Sequence, residues 1–228
     1  TPAGDPMRQL GPSKTGMLGP FFQTTNRNKK SVVLDLKRPE PSAVLRKLVE
    51  TAAVFVHNMR TAAAGRLGID YHSLKVINPK LIYASATGYR KGGSKDGRPA
   101  YDDVIQGVSG MAAMQGGREG PPKFVNASIC DKICSQVAAH STLAALFSRE
   151  RSGEGQLVEV PMYESMVGFN LIEHHAGQTF EPPLGPAGYE RSLVEYRRPY
   201  ATADGYVCTL PYNTKQWRAF FAFMQRED

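Results

Sequence analysis

Ala53-Val54-Phe55-Val56-His57-Asn58, and then Leu81-Ile82-Tyr83-Ala84-Ser85 running out into Thr87-Gly88-Tyr89, decide the fold. Each is a short run of β-branched, aromatic and small apolar residues bounded by turn formers, the composition of a buried strand. Between them, residues 71–77 read as a short helix that stops at Asn78-Pro79, because a residue before proline is driven out of the α region. Upstream, the segment 41–52 carries Val44, Leu45, Leu48 and Val49 with helical spacing. Ahead of it, Ser31-Val32-Val33-Leu34-Asp35-Leu36 reads as a further buried strand. Strand, helix, strand, helix, strand is the order of a parallel α/β sheet with crossover helices. In such sheets ligands sit beyond the carboxyl ends of the strands. Those ends are Asn58-Met59-Arg60 and Thr87-Gly88-Tyr89.

Further along, residues 92–98 form a loop, and 102–114 form a helix interrupted by Gly107 and Gly110. A long helix is expected over 132–151, free of Gly and Pro and ended by Gly153 and Gly155,. A strand follows over 156–160 and a helix over 162–176. Two segments, 195–202 and 206–210, bracket Asp204-Gly205, a hairpin turn signal,. A last helix begins near Asn213.

Hydrophobic residues make up 41% and charged residues 21% of the 228 positions, which suits a folded domain rather than a disordered chain,. No apolar run is long enough to span a bilayer, so no membrane partner is expected. The opening Thr1-Pro2-Ala3-Gly4-Asp5-Pro6 has neither a cationic nor an apolar leader region,. Three cysteines cannot complete a disulfide framework, so a reducing, cytoplasmic setting is expected,. The formal charge of +7 comes from basic residues spread over loops rather than gathered in a block. That disfavours a nucleic-acid tail and suits a small phosphorylated ligand.

Several segments follow one another in order along the chain. They are Gly4-Asp5-Pro6-Met7-Arg8, Asn26-Arg27-Asn28-Lys29-Lys30 with Ser31 to Lys37, Asn58-Met59-Arg60 with Arg66-Leu67-Gly68-Ile69-Asp70-Tyr71, and Asn78-Pro79-Lys80-Leu81-Ile82-Tyr83. Arg98-Pro99-Ala100-Tyr101-Asp102 leads into Gln106-Gly107-Val108-Ser109-Gly110, and Ser152-Gly153-Glu154-Gly155-Gln156 into Leu157-Val158-Glu159-Val160. Together these segments resemble class III CoA-transferases, the family of formyl-CoA transferase and L-carnitine CoA-transferase that also contains α-methylacyl-CoA racemases. The resemblance implies a Rossmann-like, mostly parallel sheet with flanking helices. It implies a large CoA-binding domain over 1–178, lacking its first strand and helix, and the beginning of a smaller second domain over 179–228. On this reading the chain looks truncated at both ends, and the family's interlocked homodimer is the implied assembly.

The family's nucleophile is a carboxylate just ahead of the long helix, and the matching residue is Asp131. A carboxylate is already ionised at neutral pH and attacks a thioester carbonyl without a general base. The intermediate must be kept from water. From pattern alone Asp131 reads as an N-cap, a role compatible with catalysis because a helix N-terminus favours the anion. Tyr101 and Asp102 resemble the tyrosine and acidic residue that line the transferase site. The racemases carry a histidine where Tyr101 stands, and an ordinary phenol, ionising near ~10, is a poor proton shuttle. Transfer is therefore favoured over racemisation.

Coenzyme A enters as part of the substrate, an acyl-CoA thioester, and no separate cofactor or metal is expected. Its phosphates call for loop cations and amides. By position these are Arg27, Lys29, Lys30, Asn58, Arg66 and Arg98, with Arg8 a weaker candidate. No Walker A, GxGxxG or complete nucleophile-elbow motif occurs. Cys130 and Cys134 lie one helical turn apart and read as packing residues, and the adjacent His174-His175 point to different helix faces. The partners expected are thus an acyl-CoA and a carboxylic acid. The alternatives are a racemase-like isomerase and a non-catalytic CoA-binding or interaction module. A succinyl-type donor is the working expectation, and oxalate and formate are disfavoured because no run of consecutive glycines occurs over 180–195.

Overall fold

A three-stranded parallel sheet in the order β1-β2-β3 carries the site, built from β1 (Val54–His57), β2 (Ile82–Thr87) and β3 (Gln156–Pro161). These assignments come from a computed structural model that describes residues 4–226. Pairing runs Val54 to Ile82 and Ile82 to Gln156, so all three strands end on the same side. The central strand is the most buried: Ile82, Tyr83, Ala84 and Ser85 are all buried. Being flanked on both edges and both faces, it reads as the continuous apolar run typical of a parallel sheet.

The helices are α1 (Pro20–Thr25), α2 (Pro39–Thr51), α3 (Thr61–Arg66), α4 (Tyr71–Lys75), α5 (Asp102–Val108), α6 (Met111–Gly116), α7 (Ile129–Ser152), α8 (Met162–His174), α9 (Glu190–Leu193) and α10 (Thr214–Phe223). The chain divides into two compact units, Thr1–Ile105 with Ile129–Ser165, and Gln106–Ser128 with Met166–Asp228. The sheet and α7 lie in the first.

The core of that first unit is Val49 of α2, Ala64 of α3, Leu74 of α4, and Ile69, Leu81 and Tyr83 around them. Asn78, the residue expected to stop α4, does more than that. Its side-chain amide donates to the carbonyls of Val49 and Ala52, both at 3.0 Å, tying the turn before β2 to the end of α2. Asp70 caps α4 by accepting the Ser73 backbone N–H at 3.1 Å,. At the far end of α7, Arg149 donates to the carbonyls of Ala53 at 3.1 Å and Lys80 at 3.2 Å. These carbonyls stand at the starts of β1 and β2, so α7 runs antiparallel to the strands and returns its N-terminus to their carboxyl ends.

The strand expected over residues 31–36 does not form. Among the described residues nothing pairs with this segment, and Val32 and Val33 are 63% and 78% exposed. Strand propensity expresses packing on a pleated surface, and β-branched residues without a neighbouring strand do not supply one.

The interrupted helix divides as expected into α5 and α6, with Gly110 in the left-handed conformation between them at φ 86°. The expected hairpin is present but short, with β4 (Tyr200–Ala201) antiparallel to β5 (Tyr206–Val207). Asn213 caps α10 in a reciprocal capping box with Gln216,. Among the described residues no helix is long and apolar enough to cross a membrane.

Candidate active site

A cleft of about 980 Å³ opens at the carboxyl ends of the strands, lined wholly by residues of the first unit. Its floor is made by Val56 and Asn58 at β1, Thr87 and Gly88 at β2, and Val160 and Met162 at β3. One wall is a single face of α7: Asp131, Ser135, Ala138, Thr142, at helical spacing,. The segment Arg98 to Asp102 also lines the cleft and meets the first turn of α7 at Asp102. It passes close over the end of β2, where a Cβ on Gly88 would collide with the Ala100 methyl. Glycine is required there by close approach rather than by backbone angle.

Asp131 stands on the cleft, but not as the helix cap that its position predicts. α7 starts at Ile129, three residues earlier than expected, which places Asp131 inside the first turn. The reason is an acceptor from elsewhere in the fold: Asp102 Oδ1 takes the backbone N–H of Asp131 at 2.9 Å. The first-turn N–H groups of a helix lack internal partners, so a carboxylate placed beside them extends the helix by a turn. Ser135 Oγ donates back to the Asp131 carbonyl at 2.7 Å and closes that turn on itself.

Two effects raise the Asp131 pKa above the ordinary carboxyl value: first the desolvation of its carboxyl group, then the negative charge of Asp102,. The residue as a whole is nonetheless open to the cleft. Its neighbours on α7 behave differently. Burial, above all, pushes the Cys130 thiol up to about 12 and the Cys134 thiol to about 11. Both are therefore protonated at neutral pH and buried, as packing residues should be,. Cys134 reaches the cleft, where its Sγ donates to the Met162 carbonyl at 3.8 Å.

Of the residues expected at the site, Asp131, Tyr101, Asp102, Asn58 and Arg98 all line this cleft. Tyr101 is 76% exposed at its edge. Arg27, Lys29, Lys30 and Arg66 do not line it. The first three lie exposed just beyond α1, where Lys29 Nζ donates to Asn26 Oδ1 at 3.2 Å, and Arg66 is exposed in the last turn of α3. The Arg8 guanidinium packs over the Phe22 ring, 4.0 Å from its centroid.

Sequence reasoning passed over Arg60, which lines the cleft beside Asn58. The signal was available, because Asn58-Met59-Arg60 is a strand end and strand ends face the ligand. The arrangement offers a carboxyl group, Asp131, and two arginines, Arg60 and Arg98, in the same groove.

Residues 1–228 match the model of the family described as CoA-transferase family III. The chain is 32% identical over 225 residues to the succinate–glutarate CoA-transferase of Agrobacterium fabrum, covering 94% of this chain and 55% of that protein. It is 32% identical over 238 residues to the succinyl-CoA:mesaconate CoA-transferase of Haloarcula hispanica, covering 100% of this chain and 59% of that one. Among solved structures, a CAIB/BAIF family protein from Brucella suis superposes with a TM-score of 0.83 at 26% identity, covering 99% of this chain and 61% of that one. The chain thus spans between half and two thirds of the length of these relatives.

Proposed function

The chain belongs to CoA-transferase family III, and from that premise we propose that the complete protein moves CoA from an acyl-CoA to a carboxylic acid, with Asp131 as the carrier. An Asp131 carboxylate oxygen attacks the thioester carbonyl carbon, the C–S bond breaks, and CoA leaves as a thiolate. The thiolate attacks the Asp131 carbonyl of the resulting anhydride, releasing the donor acid as a carboxylate and leaving an aspartyl-CoA thioester. The acceptor carboxylate attacks that thioester to form a second anhydride and free thiolate. Attack of the thiolate on the acceptor carbonyl gives the new acyl-CoA and restores Asp131. No proton changes hands in the sequence, which is why no histidine or lysine is required beside the nucleophile.

The observation that carries this reading is the placement of the Asp131 side chain on the cleft at the carboxyl ends of three parallel strands. Its raised basicity favours attack, while the protonated Cys130 and Cys134 thiols do not compete for the acyl group. Arg60, Arg98 and Asn58 serve the phosphates and amides of CoA, and Tyr101 and Asp102 the acyl end. The relatives named for succinate or succinyl-CoA favour a dicarboxylyl donor. Assembly as an interlocked homodimer and a cytoplasmic location complete the reading, and both rest on the family resemblance and on cysteine usage.

The test is trapping. The complete protein, incubated with succinyl-CoA and hydroxylamine, gains a hydroxamate at Asp131 by mass spectrometry, and Asp131→Ala gains none. A modification elsewhere, or CoA exchange that survives Asp131→Ala, removes Asp131 from the mechanism.

A further inference from the structure

His57 ends β1 immediately before the three residues that present Asn58 and Arg60 to the cleft. Its ring is held at both nitrogens. The Met59 backbone N–H donates to His57 Nδ1 at 3.0 Å, so that nitrogen carries no proton. On the other side, Nε2 lies 2.7 Å from Tyr83 Oη, and the Tyr83 hydroxyl spends its own proton on the Ile69 carbonyl at 2.9 Å. The direction of every bond is thereby fixed: Nε2–H donates to Tyr83, Tyr83 donates to Ile69, and Met59 donates to Nδ1. Only the neutral Nε2–H tautomer satisfies all three.

This chain runs from the core to the cleft. Tyr83 is buried on the central strand, and Met59 packs its side chain against the same core cluster. Met59 is thus fixed by its side chain and by its N–H, and the residues on either side of it are the two that line the cleft. A segment held at its middle residue presents its outer residues at a smaller cost in ordering entropy when a ligand binds.

We propose that His57 is a positioning residue for CoA: neutral, it anchors Met59 and sets Asn58 and Arg60 toward the ligand, and protonated, it releases them. The inference rests on the reading that this cleft takes CoA. A proton added at Nδ1 would face the Met59 N–H directly, so the anchor and the cationic ring are mutually exclusive. Burial lowers the His57 pKa, which keeps the anchor intact at neutral pH and places its loss on the acid side. The groups facing the ring do not change charge there. Tyr83, pushed to about 12 chiefly by burial, stays neutral, and Asp70, which acts on Tyr83, is held below its ordinary value by its Ser73 hydrogen bonds and stays charged. Tyr71 packs on Tyr83 from α4 with its ring edge, and Phe55 is apolar.

The experiment is calorimetric titration of CoA into the complete protein between about pH 4.5 and 8, a window carried well below the ordinary histidine value of about 6.5 because burial lowers that of His57. His57→Asn keeps a short-range acceptor for the Met59 N–H and cannot be protonated. His57→Gln reaches Tyr83 instead and abandons Met59. The expected result is affinity about tenfold weaker for His57→Gln, the cost of a lost hydrogen bond in this setting, with kcat at saturating acyl-CoA unchanged. His57→Asn binds like wild type at neutral pH and loses the part of the acid-side weakening that the histidine causes. The 3′-phosphate of CoA also titrates in this range, and its share stays common to both proteins. Failure of the wild type to bind CoA overturns the reading of the cleft and this inference with it. Wild-type binding with an unchanged His57→Gln, or a His57→Asn pH profile superimposable on wild type, overturns the inference alone.

Discussion

The carboxylate of Asp102 accepts the backbone N–H of Asp131 at 2.9 Å, so one acid holds the helix turn that carries the other. The contact has two consequences of opposite sign. As an acceptor, Asp102 satisfies a helix N-terminus, and as a charge it raises the pKa of Asp131, second to desolvation. The two separate by substitution. Asp102→Asn keeps an acceptor and removes the charge, so the acid limb of kcat/KM should move to lower pH with little loss of stability. Asp102→Ala removes both and should cost about 0.5–2 kcal/mol in urea unfolding, the usual loss for a cap. An acid limb that stays in place in Asp102→Asn would show that desolvation alone sets the Asp131 pKa.

Asp131 itself should be a stability liability. Its folded pKa lies above the unfolded value of about 3.9,. The folded state therefore binds the proton more tightly, and ionising the group destabilises the fold as pH rises through the folded pKa. Asp131→Asn carries no such cost. It should melt above wild type at neutral pH, and the gain should shrink as pH falls and vanish below about 3.9, where the acid is protonated in both states. The same variant should lose CoA transfer by on the order of a thousandfold or more, as removal of a nucleophile does. Paired calorimetric melts at neutral and acid pH check the sign.

How much of this was open to reading in the sequence varies with where the information sits. The strands Val54–His57 and Ile82–Thr87 and the helix breaks at Asn78 and Gly110 are local signals, and they appear where expected. Asp131, Tyr101, Asp102, Asn58 and Arg98 gather on one cleft because strand ends and the start of α7 meet there. What sequence could not supply is tertiary. The strand over 31–36 fails for want of a pairing partner, although its residues are strand formers. The early start of α7 depends on Asp102, 29 residues away. The basic residues after α1 match by motif but lie off the cleft, since a cation in a loop fixes no direction for its side chain.

Arg149 anchors the other end of α7. Its guanidinium bonds two backbone carbonyls, of Ala53 and Lys80, that head β1 and β2, and its side chain is 18% exposed. Arg149→Met keeps the aliphatic bulk and removes both hydrogen bonds; the Ala53 carbonyl keeps the Ile82 N–H at 3.2 Å, and the Lys80 carbonyl loses its donor. It should destabilise the protein by about 1–3 kcal/mol in denaturant unfolding, the cost of leaving one such group without its donor. The cleft lies at the opposite end of the helix, so KM for acyl-CoA should hold in the folded fraction. A changed KM with unchanged stability would reverse the roles assigned to the two ends.

Gly88 and Ala100 form the most specific steric test of the cleft. A methyl on Gly88 would occupy the space of the Ala100 methyl, and Ala100 belongs to the segment that carries Arg98, Tyr101 and Asp102. Gly88→Ala should therefore push that wall off the strand end. The expected cost is about 1–3 kcal/mol of stability from overpacking, with a raised KM for acyl-CoA as Arg98 moves. Ala100→Gly alone should lose only a few tenths of a kcal/mol to about 1 kcal/mol from added backbone freedom. The double variant exchanges the methyl between the two positions and relieves the collision. It should recover most of the lost stability and the wild-type KM together, giving a coupling energy of about 0.5–3 kcal/mol in the double-mutant cycle. Additive effects would mean that the two residues are not in contact, and the wall of the cleft would have to be drawn elsewhere.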